Sequence, residues 1–181
     1  MVLRALDRRF GSRAGALFVR AIGQVHRYLT DPTVQEAVHE AVEATITPDT
    51  RLVIGHSLGS VVALEHLRRH PDRKLDVLLT IGSPLGLRTI QSLLEFPFYG
   101  AGGPGRPAQL GSWVNVRDEG DPVACAGDLT RFWPGLTDVV VDNGGDAHSA
   151  LRYLGKRATG EHIMRQLADL FASVESRSSA P

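Results

Sequence analysis

Three short runs in this chain are apolar without alternation: "RLVIG" at 51–55, "KLDVLLTIG" at 74–82 and "TDVVV" at 137–141. A strand with one wet face alternates apolar and polar residues, so runs that do not alternate belong in a sheet covered on both sides. A fourth run, "SWVNV" at 112–116, begins in the same way and ends in the polar loop "RDEGDPV". Between the runs the spacing turns helical, as in "LGSVVALEHLRRH", which Pro71 stops. Strands of this kind alternating with helices specify an α/β fold, here a short, mostly parallel sheet of about four strands with helices on both faces.

Before the first strand there is room only for helices. Phe18, Ile22, Val25 and Leu29 recur at helical spacing. "TDPTVQEAVHEAVEAT" offers Asp31 as N-cap, Pro32 at the first helical position and Val34, Ala37, Val38, Ala41 and Val42 behind them. The 181 residues suffice for one domain. It divides into a helical part over 1–48, a core over 49–175 and a frayed tail over 176–181. "LGLRTIQSLLEF", "SALRYLG" and "ATGEHIMRQLADLFASV" read as further helices.

The charge balance is even, 20 basic against 20 acidic residues, and no basic block is interleaved with aromatics. Nucleic acid and anionic membranes are therefore not expected partners. The apolar runs are far shorter than the roughly 20 residues that span a bilayer. Cys125 is the one cysteine, no zinc-type spacing surrounds it, and "MVLRALDRRFGSR" lacks the apolar segment of a leader. These features lead us to expect a cytoplasmic protein with no metal or organic cofactor.

The chemistry concentrates at "RLVIGHSLGS". Gly55-His56-Ser57-Leu58-Gly59 fits G-x-S-x-G between a strand and a helix. At such a turn the serine backbone is strained, side chains two residues before or after would crowd it, and Gly55 and Gly59 are expected to relieve that crowding. The hydroxyl then stands above the sheet, and the Leu58 N–H at the helix start is placed to stabilise an oxyanion. A serine needs a base, and the base an orienting acid. Parallel sheets build sites at the carboxyl ends of their strands. The loop after "WVNV" supplies Asp118, Glu119 and Asp121; the loop after "DVVVDN" supplies Asp142, Asp146 and His148. His26, His39, His66, His70 and His162 lie within helical patterns, where a solvated or half-buried role is expected, and His56 sits in the elbow itself.

On these residues the chain resembles the α/β-hydrolase superfamily, and its serine esterase and lipase-like members most. "GHSLGS" matches their nucleophile elbow, "LLTIGSPLG" the segment after the next strand, and "WVNVRDEGDPVA" the acid-bearing loop. "GDPVAC" with "DAHSALRYL" is similar to cutinases. The resemblance covers roughly residues 32–170 and implies Ser57 as nucleophile, Asp121 as acid and His148 as base, with Asp118 holding the loop or facing water. Ser83 and Pro84 would shape the floor beside the elbow. It implies hydrolysis of a carboxylic ester through an acyl-enzyme, the substrate being a small or lipid-like ester with a hydrophobic group.

The chain departs from that family before "RLVIG". The usual early strands and the His-Gly loop that gives a second oxyanion donor are not visible, so the fold resembles a truncated α/β hydrolase. Leu52-Val53-Ile54 then becomes a sheet edge, which the N-terminal segment, a second copy or another partner, or further sequence of a longer chain would cover. After "GSPLG", where this fold often carries a lid, stand Leu93, Leu94, Phe96, Phe98 and Tyr99, then "GAGGPGRP". Phe96, Phe98 and Tyr99 are the expected substrate-binding residues, Leu93 and Leu94 serving equally well as helix core. Phe132-Trp133-Pro134 are a further candidate lining, although Trp113 and Trp133 read first as packing residues. Acyl transfer or thioester cleavage on the same residues, peptide hydrolysis, and a non-catalytic assembly module are the alternatives.

Overall fold

The computed structural model describes residues 8–10, 14–94 and 107–178, with side chains described as far as residue 168. Four parallel strands form one sheet: β1 (Leu52–His56), β2 (Leu75–Ile81), β3 (Leu110–Asp118) and β4 (Thr137–Val141). They lie side by side in chain order, with Leu79 facing Ile54 on one side and Val114 on the other. The α/β class read from the unalternating runs is the class observed.

The chain steps across the sheet three times in the same direction. Parallel crossovers share one hand, so all three crossover segments fall on one face. That face carries α3 (Leu58–Arg69), the short α4 (Arg88–Gln91) and a 3-10 turn (Leu129–Arg131), joined by the N-terminal pair α1 (Ala14–Thr30) and α2 (Pro32–Glu43). Val25, Tyr28, Leu64, Leu67, Leu78, Trp113 and Trp133 pack there. The opposite face is left to α5 (Ala150–Leu154) and α6 (Arg157–Ser178), whose Tyr153, Ala158 and Ile163 pack on Leu79, Ile81, Val114 and Val116.

Local chemistry explains the helix starts. Asp31 Oδ1 accepts the N–H groups of Thr33 and Val34 at 3.1 and 3.3 Å, and Pro32 follows at N1. A cap of this kind is worth about 1 kcal/mol. In α1 the buried stripe is Ala21, Val25 and Tyr28, while Phe18, Ile22 and Leu29 are half buried. The tyrosine goes inward because its hydroxyl meets His39 Nε2 of α2 at 3.0 Å. Trp113 and Trp133 pack with tilted rings, 5.2 Å between centroids, and Trp113 Nε1 donates to Thr80 Oγ1 at 3.0 Å.

Two expectations change. Among the described residues the helix read from "LGLRTIQSLLEF" is confined to Arg88–Gln91, because Leu85 and Leu94 turn into the core on either side of it. The last helix continues to Ser178, past the point where fraying was expected. Among the described residues β1 pairs only with β2, and Ile54 on its outer side is 44% exposed. The face under Ile54 is open because α6 lies over β2, β3 and β4. No helix among the described residues is long and apolar enough to cross a membrane.

Candidate active site

Ser57 stands between β1 and α3 with φ 52° and ψ −120°, the one described residue other than glycine with positive φ. Such strain costs on the order of 1–3 kcal/mol and persists only where the surroundings enforce it. Here they do. The Ser57 N–H continues the sheet ladder to Ile81 O at 3.1 Å, and the Ser57 carbonyl accepts from Ser60 N at 3.0 Å and Ser60 Oγ at 2.6 Å. Ser60 Oγ is bonded in turn to Ser83 Oγ at 2.7 Å, so Ser83 does form the floor beneath the elbow.

The two glycines are not equivalent. A Cβ on Gly55 would lie 2.6 Å from Ser60 Cα and 2.7 Å from Gly59 O, both backbone atoms that cannot move aside. A Cβ on Gly59 meets nothing within 4 Å. The expected crowding therefore exists only before the serine. Gly59 already lies on the first turn of α3, where a side chain points away from the strand.

Asp121 and His148 come together at the ends of β3 and β4. His148 Nδ1 lies 2.8 Å from Asp121 Oδ2. A carboxylate can only accept, so in the neutral imidazole the proton is on Nδ1 and the Nε2 lone pair is free. Asp121 is fully buried and takes two further donors, Val123 N–H at 2.8 Å and the Tyr153 hydroxyl at 2.8 Å. Tyr153 is buried, and burial together with the adjacent Asp121 charge raises its pKa, so it stays a donor. Its oxygen accepts the Asp118 N–H at 2.9 Å. Gly82, with φ +55°, lets these groups converge: a Cβ there would lie 2.8 Å from Asp121 Oδ2 and 3.2 Å from His148 Nδ1.

Asp118 does not reach the histidine. Its carboxylate accepts Gly120 N–H at 2.6 Å and the N–H of Asn143, tying the end of β3 to the loop after β4. Asn143 is buried and passes the restraint on through Nδ2 to Ala147 O at 2.9 Å, next to His148. Asn143 and Tyr153 thus set the position of the histidine loop. The aromatic after "DAHSALRY" was legible in sequence, whereas nothing marked Asn143.

His56 contributes in a way that the elbow pattern did not reveal. Its ring centroid is 4.6 Å from that of His148, and its Nε2–H donates to the His148 carbonyl at 2.9 Å. Burial, with the neighbouring His148, lowers the His56 pKa, which keeps the ring neutral and its one N–H committed. Its role is to hold the His148 backbone. We predict that His56→Phe, which keeps a ring and removes the donor, costs about 1 kcal/mol of stability in a thermal melt. A melting temperature equal to that of the parent would dismiss this role.

Ser57 and His148 line one cleft of about 260 Å³, whose far wall is Leu17, Arg20, Ala21 and Gln24 of α1. A second cleft, of about 440 Å³, lies on the other side of His148 and shares Leu17. Among the described residues Ser57 Oγ makes no hydrogen bond, and what joins Ser57 to His148 is this shared cleft. The Leu58 N–H stands at the start of α3, next to Ser57. Phe132 and Trp133 do not line the cleft. They pack on Leu129 and Trp113 in the core, because Trp133 is fully buried. Leu94 is a core residue. Phe96, Phe98 and Tyr99 lie outside the described residues. Burial raises the pKa of the Cys125 thiol, which argues against a reactive thiolate there. No protein-family model, no curated protein and no solved structure matches the chain.

Proposed function

We propose that the protein is a serine hydrolase of carboxylic esters with a truncated α/β-hydrolase fold. The observation that carries this reading is a serine held at positive φ in the same cleft as a histidine that a buried carboxylate orients. In this reading Ser57 Oγ attacks the ester carbonyl while His148 Nε2 takes its proton. Asp121 keeps the proton on Nδ1 and stabilises the imidazolium that forms. The Leu58 N–H stabilises the oxyanion. His148 then protonates the leaving alcohol, and a water activated by the same nitrogen releases the acid. Leu17, Ala21 and Leu58 give the cleft an apolar wall, which suits a hydrophobic acyl or alcohol group. The single half-buried thiol is in keeping with a reducing, cytoplasmic setting.

A fluorophosphonate probe tests the reading, because it requires an activated serine. One probe per chain is expected on the parent protein and none on Ser57→Ala. p-Nitrophenyl esters of increasing acyl length then report the preferred chain, and added alcohols separate hydrolysis from acyl transfer. If the folded parent does not label, the enzyme reading fails, and the open β1 edge with exposed Ile54 becomes the leading feature, that of an assembly module.

A further inference from the structure

At the far end of α3 from Ser57, two histidines and a carboxylate converge. His66 and His70 are four residues apart, so they share one face of the helix. Their ring centroids are 4.6 Å apart. Glu43, the last residue of α2, places Oε1 3.3 Å from His66 Nδ1 and against His70 Nε2. The three donor atoms lie within 4.8 Å of one another. We propose that Glu43, His66 and His70 form a binding site for a transition-metal dication of the zinc type, which clamps α2 to α3.

Three observations point to a ligand rather than to ordinary packing. His66 is 4% exposed, and its buried Nδ1 faces Glu43 Oε1 at 3.3 Å without forming a hydrogen bond to it or to any other described group. A buried polar nitrogen left unpaired costs on the order of 1–3 kcal/mol, which a bound metal would remove. His70 and Glu43 open onto a cleft of about 720 Å³, leaving an entry path and room for water as a further ligand. Arg73 Nη1 meets Glu43 Oε2 at 2.8 Å, holding the carboxylate so that Oε1 faces the imidazoles. An outer partner of this kind orients many metal-binding carboxylates.

The donor set selects the ion. Two imidazoles with one carboxylate oxygen suit zinc, nickel or copper, whereas calcium and magnesium prefer oxygen ligands. Each imidazole offers the lone pair of its inward nitrogen and carries its proton on the other one. His66 is nine positions beyond Ser57, about 13 Å along the axis of α3, so the metal does not reach the Ser57 cleft. Its effect is on the helical pair: α2 is tied to the core, and α1, directly before it, walls the Ser57 cleft.

The test is a calorimetric titration of tag-free, chelator-treated full chain with Zn²⁺, with the visible absorption of Co²⁺ as a second readout. One equivalent should bind, raise the melting temperature and give Co²⁺ bands of low-coordinate N/O ligation. Glu43→Gln keeps the shape of its side chain, and His70 is partly exposed, so Glu43→Gln and His70→Ala should fold. Both should weaken binding at least tenfold while the metal-free melting temperature moves little. Absence of saturable binding overturns the proposal, and so does one-equivalent binding in both variants as strong as in the parent. A variant that loses its fold is replaced by Co²⁺ spectra of His70→Gln, whose bands must change.

Discussion

Asp121→Asn is expected to lower kcat on a p-nitrophenyl ester by about four orders of magnitude, the scale seen when a triad acid becomes an amide. The carboxylate receives three donors on two oxygens: Val123 N–H, the Tyr153 hydroxyl and His148 Nδ1–H. An amide has one oxygen and brings two N–H groups of its own. If its oxygen stays on Val123, its NH₂ faces both Tyr153 and His148. His148 must then turn its Nδ1 lone pair to that NH₂, which moves the proton to Nε2 and removes the base. Tyr153 loses its acceptor as well, a fold cost of about 1–3 kcal/mol. Melting temperature and rate must therefore be measured on the same samples.

Asp118→Asn is the matching control. Asp118 spends both oxygens on backbone N–H groups, Gly120 and Asn143, and none on the histidine. The amide would set an NH₂ against one of those donors. The variant should lose about 1–3 kcal/mol of stability and keep most of its kcat below its melting point. An inactive, folded Asp118→Asn beside an active Asp121→Asn would reassign the acid.

The separation of the two aspartates explains what the sequence could and could not disclose. Asp118, Glu119 and Asp121 all stand in one polar loop, and spacing alone admits each of them. The turn Asp121 N–H to Asp118 O, 3.0 Å, directs Asp118 toward Asn143 and Asp121 toward His148. Apolar runs and helical spacing revealed the sheet, its strand number and the helices on both faces, since each rests on neighbours in the chain. Pairings between distant loops left no such trace. His56 bonds a carbonyl 92 residues away, and His66 and His70 read as bland helix positions until α2 set Glu43 against them. The covering of the cleft is another such case: α1 walls it, and among the described residues no earlier strand does.

Gly55→Ala is expected to abolish both labelling at Ser57 and a cooperative melt at the parent temperature, while Gly59→Ala leaves labelling intact and raises stability by about 0.5–1 kcal/mol. The pattern G-x-S-x-G treats the two alike, and the geometry does not. On Gly55 the added methyl would sit 2.6 Å from Ser60 Cα, inside any real carbon–carbon contact. Relief requires α3 to slide off β1, which breaks Ser57 N–H to Ile81 O and the two bonds on the Ser57 carbonyl. Those three bonds hold Ser57 at φ 52°, so the strain that lifts its hydroxyl is lost together with the packing. Overpacking a core by one methyl costs about 1–3 kcal/mol, and the broken elbow adds to that. On Gly59 the methyl enters open space on a helix that gains from alanine's lower backbone entropy. Equal behaviour of the two variants in a thermal melt and a labelling assay would mean that the turn does not depend on a close approach at Gly55.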